Sequence, residues 1–215
     1  MKLQKDRCFV TSAKYGIIFF VDDQVIEAAR ADIEATSDLL ERAMKLSGLI
    51  TTLFQECGFS LVVVGGSAVE FYTEGNYMSG DIDFCRKTLR AVPPRLMQEI
   101  AQRLGGRGLG RNWLICGLYV DILGVLESET TLPERTLKTP YGEVRVLPPE
   151  LALVERLLFA EQDHECEQSA RQMMTAAIND AAFDWSEAER LADLRDFKVL
   201  PRLRDLRKEI SDGRA

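Results

Sequence analysis

Leu61-Val62-Val63-Val64-Gly65-Gly66-Ser67-Ala68-Val69-Glu70-Phe71, followed by Ser79-Gly80-Asp81-Ile82-Asp83-Phe84, decides how this chain is read. The β-branched run Leu61 to Val64 predicts a strand covered on both faces. Gly65 and Gly66 lack a Cβ, so the backbone can turn sharply there and approach a ligand closely. Ser67 is expected to cap a short helix whose free N–H groups would attract phosphate. In the second strand a side-chain period of two puts Asp81 and Asp83 on one face, Ile82 and Phe84 on the other. Paired carboxylates beside an anion-binding turn suit a magnesium site that grips a nucleotide's phosphates.

Each half alone has a plainer reading. A Gly-Gly-Ser turn is often only a turn, and Asp-x-Asp is often the wet face of an edge strand. Together and in this order they resemble the polymerase-β-type nucleotidyltransferase superfamily. Its signature is a glycine-serine turn, a short helix, then Asp-x-Asp, with a third acid on a later strand. In Leu118-Tyr119-Val120-Asp121-Ile122-Leu123 that acid is Asp121. Asp121 also draws notice without any family, because a carboxylate in an apolar segment is expensive to desolvate unless a cation or donors meet it. A strand-end acid facing water is the alternative.

The fold expected is α/β (α+β), a mixed central sheet flanked by helices and followed by a C-terminal helical part. One boundary is expected at Leu147-Pro148-Pro149, separating residues 1–147 from 148–215. The phrase Val146 to Leu151 with Glu155-Arg156-Leu157-Leu158 looks like the helical part of AbiEii-like and related bacterial nucleotidyltransferases. In the toxin members of that group a lysine on this helix holds phosphates; here the cation is Arg156. The resemblance implies transfer of an NMP from an NTP, such as ATP, to a hydroxyl on an RNA end, a protein or a small molecule. It implies Asp81, Asp83 and Asp121 as catalytic and metal-holding residues for two Mg²⁺ ions, with Gly65, Gly66, Ser67 and Arg156 binding the nucleotide. A toxin or defence setting, a tRNA or protein acceptor, an antitoxin and a homodimer are the partners it leaves open. A catalytically inactive nucleotide-binding or regulatory protein of the same fold is the alternative.

Composition narrows the choices. The chain has 215 residues, 46% of them hydrophobic, which suits one generous domain or a domain with a helical appendage. No apolar run reaches the ~20 residues needed to cross a bilayer, and no signal-like core is present, so a cytoplasmic protein is expected. Five scattered cysteines without Cys-x-x-Cys argue against disulfide frameworks and zinc knuckles. The single histidine, His164, leaves little room for histidine-based metal sites or a Ser-His-Asp triad. A net charge of −7 argues against a broad grip on long nucleic acid but allows a local basic groove.

Elsewhere the reading is structural. Arg7 to Val21 is expected to form a hairpin around Ala13-Lys14-Tyr15-Gly16. Helices follow from Asp23 and from Thr36 or Ser37 as the start signal ahead of Asp38, the second ending at Gly58. Arg86 and Lys87 are a solvated pair or a phosphate aid. Pro93-Pro94 opens a helix to Leu104, and Gly105 to Arg111 is expected to be a flexible loop, with Arg107 and Arg111 able to lean over a cleft. Asn112 to Leu123 is one bent strand or two, and Pro140-Tyr141-Gly142 turns a hairpin. Helices then cover Pro149 to Leu158, Gln168 to Ile178, Glu187 to Phe197 with a Ser186/Glu189 capping box, and Arg202 to Ile210.

Overall fold

The computed structural model describes residues 10–12, 17–19, 21–127, 130–160 and 162–213. The turn of the expected N-terminal hairpin, 13–16, lies outside them; its strands β1 (Val10–Ser12) and β2 (Ile17–Phe19) pair antiparallel. In order there follow α1 (Asp23–Ala35), α2 (Leu39–Glu56), β3 (Leu61–Val64), α3 (Gly65–Tyr72), β4 (Asp81–Arg86) and α4 (Pro94–Arg103). Next come β5 (Arg107–Leu109), β6 (Asn112–Ile115), β7 (Leu118–Val125), β8 (Arg135–Thr139) and β9 (Gly142–Val146). The chain ends in α5 (Pro149–Phe159), α6 (His164–Asn179), α7 (Trp185–Asp193) and α8 (Leu200–Ser211). Among the described residues no helix is long and apolar enough to cross a membrane.

Strands β3 to β9 form one mixed sheet in the order β5-β6-β7-β4-β3-β9-β8. The chain divides into two compact units, each built from three segments. The first holds residues up to Val64, Gly80–Leu126 and Thr136–Val146; the second holds Gly65–Ser79, Glu127–Arg135 and Leu147 onward. The sequence reading cut the chain once, at 147/148. The glycine-turn helix joins the C-terminal helices because its apolar residues are buried with them: Ala68, Val69 and Phe71 are covered, and Tyr72 Oη donates to Leu147 O at 2.7 Å.

In the first unit, α1 buries Ile26, Ala29 and Ile33, and α2 buries Leu46, Ile50, Leu53 and Phe54. Their period of three and four presents one apolar stripe each to the core. The β8–β9 hairpin lies against α2 so closely that a Cβ on Gly48 would sit 2.0 Å from Thr139 Oγ1, and Thr52 Oγ1 donates to Tyr141 O at 2.8 Å. In the second unit, Leu151, Leu153, Val154 and Leu157 of α5 pack with Met173 and Met174 of α6, Leu191 of α7 and Leu203 of α8.

Three local expectations need correcting. The loop expected over Gly105 to Arg111 contains strand β5, which pairs antiparallel with β6. The cap of α2 is Asp38, whose carboxylate accepts from Glu41 N at 2.7 Å, rather than Thr36 or Ser37. At α7 the cap is Asp184, accepting from Glu187 N at 3.0 Å, so the Ser186/Glu189 box does not form. In both cases an aspartate one or two residues from the expected one reaches the free N–H groups of the first turn instead.

Candidate active site

Strand β4 occupies the middle of the sheet, with β3 antiparallel on one side and β7 parallel on the other. Alternation turns Ile82 and Phe84 inward, 1% and 0% exposed, and leaves Asp81 and Asp83 on the opposite face. On β7 the same alternation buries Val120 and Ile122 and puts Tyr119 and Asp121 on the other side. The parallel register aligns Asp81 with Tyr119 and Asp83 with Asp121. Residues opposite one another on adjacent strands share a face, so all three carboxylates stand on one side of two neighbouring strands. Strands are ~4.8 Å apart, which makes Asp83 and Asp121 direct neighbours.

The three are electrically distinct. Asp81 is exposed, Asp83 half-buried, and Asp121 has 20% of its side chain accessible. Burial holds the Asp121 carboxyl above the usual range; Arg111 pulls it down, and the charge of Asp81 pushes it up. Arg111 Nε stands 3.3 Å from Asp121 Oδ1, yet that buried oxygen receives no hydrogen bond. The guanidinium is thus close enough to attract but not aligned to donate. A buried anionic oxygen with an unfilled acceptor site is what a hard cation would relieve. Among the described residues no three acid, histidine or cysteine side chains are gathered as a ready-made metal cage. The donor set is all carboxylate oxygen and fits magnesium chemistry; a cation would have to draw Asp81 and Asp83 in toward Asp121.

The other expected residues lie in the second unit. Gly65 follows Val64, which is itself the partner of Asp83 across β3 and β4. Helix α3 begins at Gly65, at φ +64°, so Ser67 is inside the first turn and not its cap. Ser67 is also 1% exposed. Arg156 places Nη1 3.6 Å from Cys166 Sγ, and its charge helps lower the Asp163 carboxyl. His164 opens α6.

One residue that the sequence reading passed over, Glu70, fixes the segment leading to Asp81, together with Gly66. Glu70 is buried, 4% exposed, and its Oε2 accepts from Ser79 N at 3.0 Å. A Cβ on Gly66 would stand 2.9 Å from Ser79 Cβ and 3.4 Å from Tyr77 Oη, so this glycine is required by close approach. A charged residue on the apolar face of a short helix, as Glu70 is, was the available signal.

No family model matches the sequence, and no curated protein matches it. Among solved structures the chain is similar to an antigenic nucleotidyltransferase-like protein from Paracoccidioides brasiliensis, at 15% identity and TM-score 0.49, covering 80% of this chain and 94% of that one. It is similar to ANT(2")-Ia in complex with adenylyl-2"-tobramycin, at 17% identity and TM-score 0.47, covering 70% and 94%. A solution structure of the antibiotic-resistance factor ANT(2'')-Ia gives 16% identity and TM-score 0.41, covering 81% and 95%.

Proposed function

We propose that the chain is a metal-dependent nucleotidyltransferase that moves an NMP from an NTP to a hydroxyl acceptor. The observation that carries this reading is the β4–β7 register, which sets Asp83 beside Asp121 and Asp81 on the same face, with the buried Asp121 Oδ1 lacking a hydrogen bond. Asp81, Asp83 and Asp121 would hold divalent metal, Mg²⁺ being the expected ion. Metal bound there would lower the pKa of the acceptor hydroxyl and offset charge on the reacting phosphate. Asp121 would accept the hydroxyl's proton, a task favoured by burial, which holds its carboxyl above the usual range. The acceptor oxygen bonds to the α-phosphorus, the α–β phosphoanhydride breaks, and pyrophosphate leaves. On the sequence pattern, the Gly65-Gly66 backbone is the proposed anchor for the triphosphate. Ser67 and Arg156 keep weaker claims, since one is covered and the other faces Cys166 and Asp163.

The test is incubation of the protein with Mg²⁺ and each labelled NTP, with pyrophosphate and labelled product measured. Asp81→Ala, Asp83→Ala and Asp121→Ala should each lower turnover at least ~100-fold, a loss in keeping with removal of a transition-state charge stabiliser. Mg²⁺-dependent nucleotide binding with no release of pyrophosphate in any acceptor mixture would sink the enzyme and leave a binding protein.

A further inference from the structure

Among the described residues the ion pair at Asp121 is made by Arg111, which sits in the turn between β5 and β6. The backbone of Arg111 is fixed and its head is free. Ile122 N donates to Arg111 O at 3.1 Å, which ties the turn to β7 one residue past Asp121. Asn112, next in the chain, faces Asp121 in the strand register. The Arg111 side chain is nevertheless 59% exposed. Gly110 before it has φ +66°, with no heavy atom within 4 Å of where a Cβ would stand. The guanidinium can therefore leave Asp121 by rotating its own side-chain bonds, with the strand register unchanged.

The contact itself is loose. Nε stands 3.3 Å from Asp121 Oδ1, and that buried oxygen accepts no hydrogen bond. Attraction without a bond offsets part of the cost of a buried charge and leaves the oxygen's lone pairs open. A divalent cation would need this same oxygen. Guanidinium and metal cannot both lie against it, because like charges in contact repel strongly where water is partly excluded.

We propose that Arg111 is a displaceable counter-ion of Asp121: a divalent cation takes its place, and the freed guanidinium pairs with the nucleotide's phosphates. This deepens the nucleotidyltransferase reading above and rests on it. A planar guanidinium matches a phosphate through two parallel hydrogen bonds, so a triphosphate arriving with metal is a better partner than the misaligned carboxylate. Metal alone must break an ion pair, whereas metal with nucleotide exchanges one pair for another. Arg111 thus couples the entry of the two.

The experiment titrates the full chain with Mn²⁺, which takes the same oxygen ligands, and reads free Mn²⁺ by electron paramagnetic resonance without nucleotide. Arg111→Gln should bind Mn²⁺ about tenfold more tightly than wild type, and Arg111→Lys within about threefold of it. Arg107→Gln removes an equal charge from the same hairpin and should alter the affinity less than about twofold. At saturating Mg²⁺, a labelled NTP analogue with an uncleavable α–β bridge should bind Arg111→Gln about tenfold more weakly than wild type. Equal Mn²⁺ affinity in wild type and Arg111→Gln, or an equal gain in Arg107→Gln, overturns the displacement. So does Mn²⁺ binding that survives Asp121→Ala, or no Mn²⁺ binding by any variant. Unchanged analogue binding in Arg111→Gln overturns the phosphate contact. None of these readouts needs turnover. Asp81-dependent pyrophosphate release with no effect of Arg111 on Mn²⁺ refutes the counter-ion and keeps the reaction. The expected Arg111 effects with no pyrophosphate release keep the counter-ion and refute the reaction.

Discussion

Asp121 carries opposed demands. Its carboxylate is pushed above the normal range chiefly by burial, so ionising it at neutral pH works against the fold. The sign follows directly: stability should fall as pH rises through and above the ordinary carboxylate range. Asp121→Asn removes that charge while preserving shape. It should raise the melting temperature at pH 7.5 by a few degrees, equivalent to about 1 kcal/mol, while abolishing transfer. Saturating Mg²⁺ and nucleotide should close the gap by stabilising wild type alone. Calorimetry with and without Mg²⁺-nucleotide reads both effects. An unchanged melting temperature in the variant would mean that the buried oxygen is not under electrostatic load.

Helix α3 and the segment after it show how element and site are joined. Glu70→Ala would leave Ser79 N without its carboxylate acceptor, and Gly66→Ala would drive a methyl against Ser79 and Tyr77. Each should destabilise by about 1–3 kcal/mol and speed amide exchange over residues 73–79 more than in α5. Exchange that rises uniformly along the chain would argue against this local role. The strand-turn-helix-strand order and the shared face of Asp81 and Asp83 were legible because both follow from local periodicity. That Asp121 stands opposite Asp83 was not, since register between strands so far apart in sequence is a tertiary fact. Strand β5 stayed hidden behind Gly105, Gly106, Gly108 and Gly110, whose composition signals a loop. A Cβ at Gly108 would sit 2.1 Å from Asn112 O, so that glycine serves close strand approach and not flexibility. The caps of α2 and α7 were missed for a smaller reason. Capping-type side chains one or two residues apart compete, and only the entry path of the chain selects Asp38 and Asp184.

At the scale of the molecule, two carboxylates of the second unit pull stability in opposite directions with pH. Glu187 is held down to about 2 by Arg190, which reaches it at 2.7 and 2.8 Å, with further bonds from Thr130 and Thr131. Its contribution is present above the ordinary value of 4.5 and lost as pH falls toward 2. Half-buried Glu155 is pushed up to about 7 by burial, against the pull of Arg156. A raised acid costs stability progressively between 4.5 and 7. The melting temperature should therefore peak in mildly acidic solution. Glu155→Gln should flatten the alkaline limb and Glu187→Gln the acid limb, as followed by calorimetry from about pH 1 to about pH 8, roughly one unit beyond each value. The same Glu187 network ties Thr130 and Thr131 to α7, a three-segment assembly that no linear boundary in the sequence could have announced.

The pairing of β4 with β7 slips once, between Phe84 and Arg86: Phe84 faces Ile122, whereas Arg86 faces Val125. One extra residue is therefore absorbed on β7 downstream of Asp121. Such an irregularity acts as a slack coupling, absorbing length changes beyond it without dragging the carboxylates out of line. Shortening the chain by removing exposed Gly124 should be tolerated with catalysis intact. Removing a single residue between Leu118 and Asp121 would turn the third acid into the hydrophobic interior. Natural length variation in this strand is accordingly expected after its fourth residue and not before.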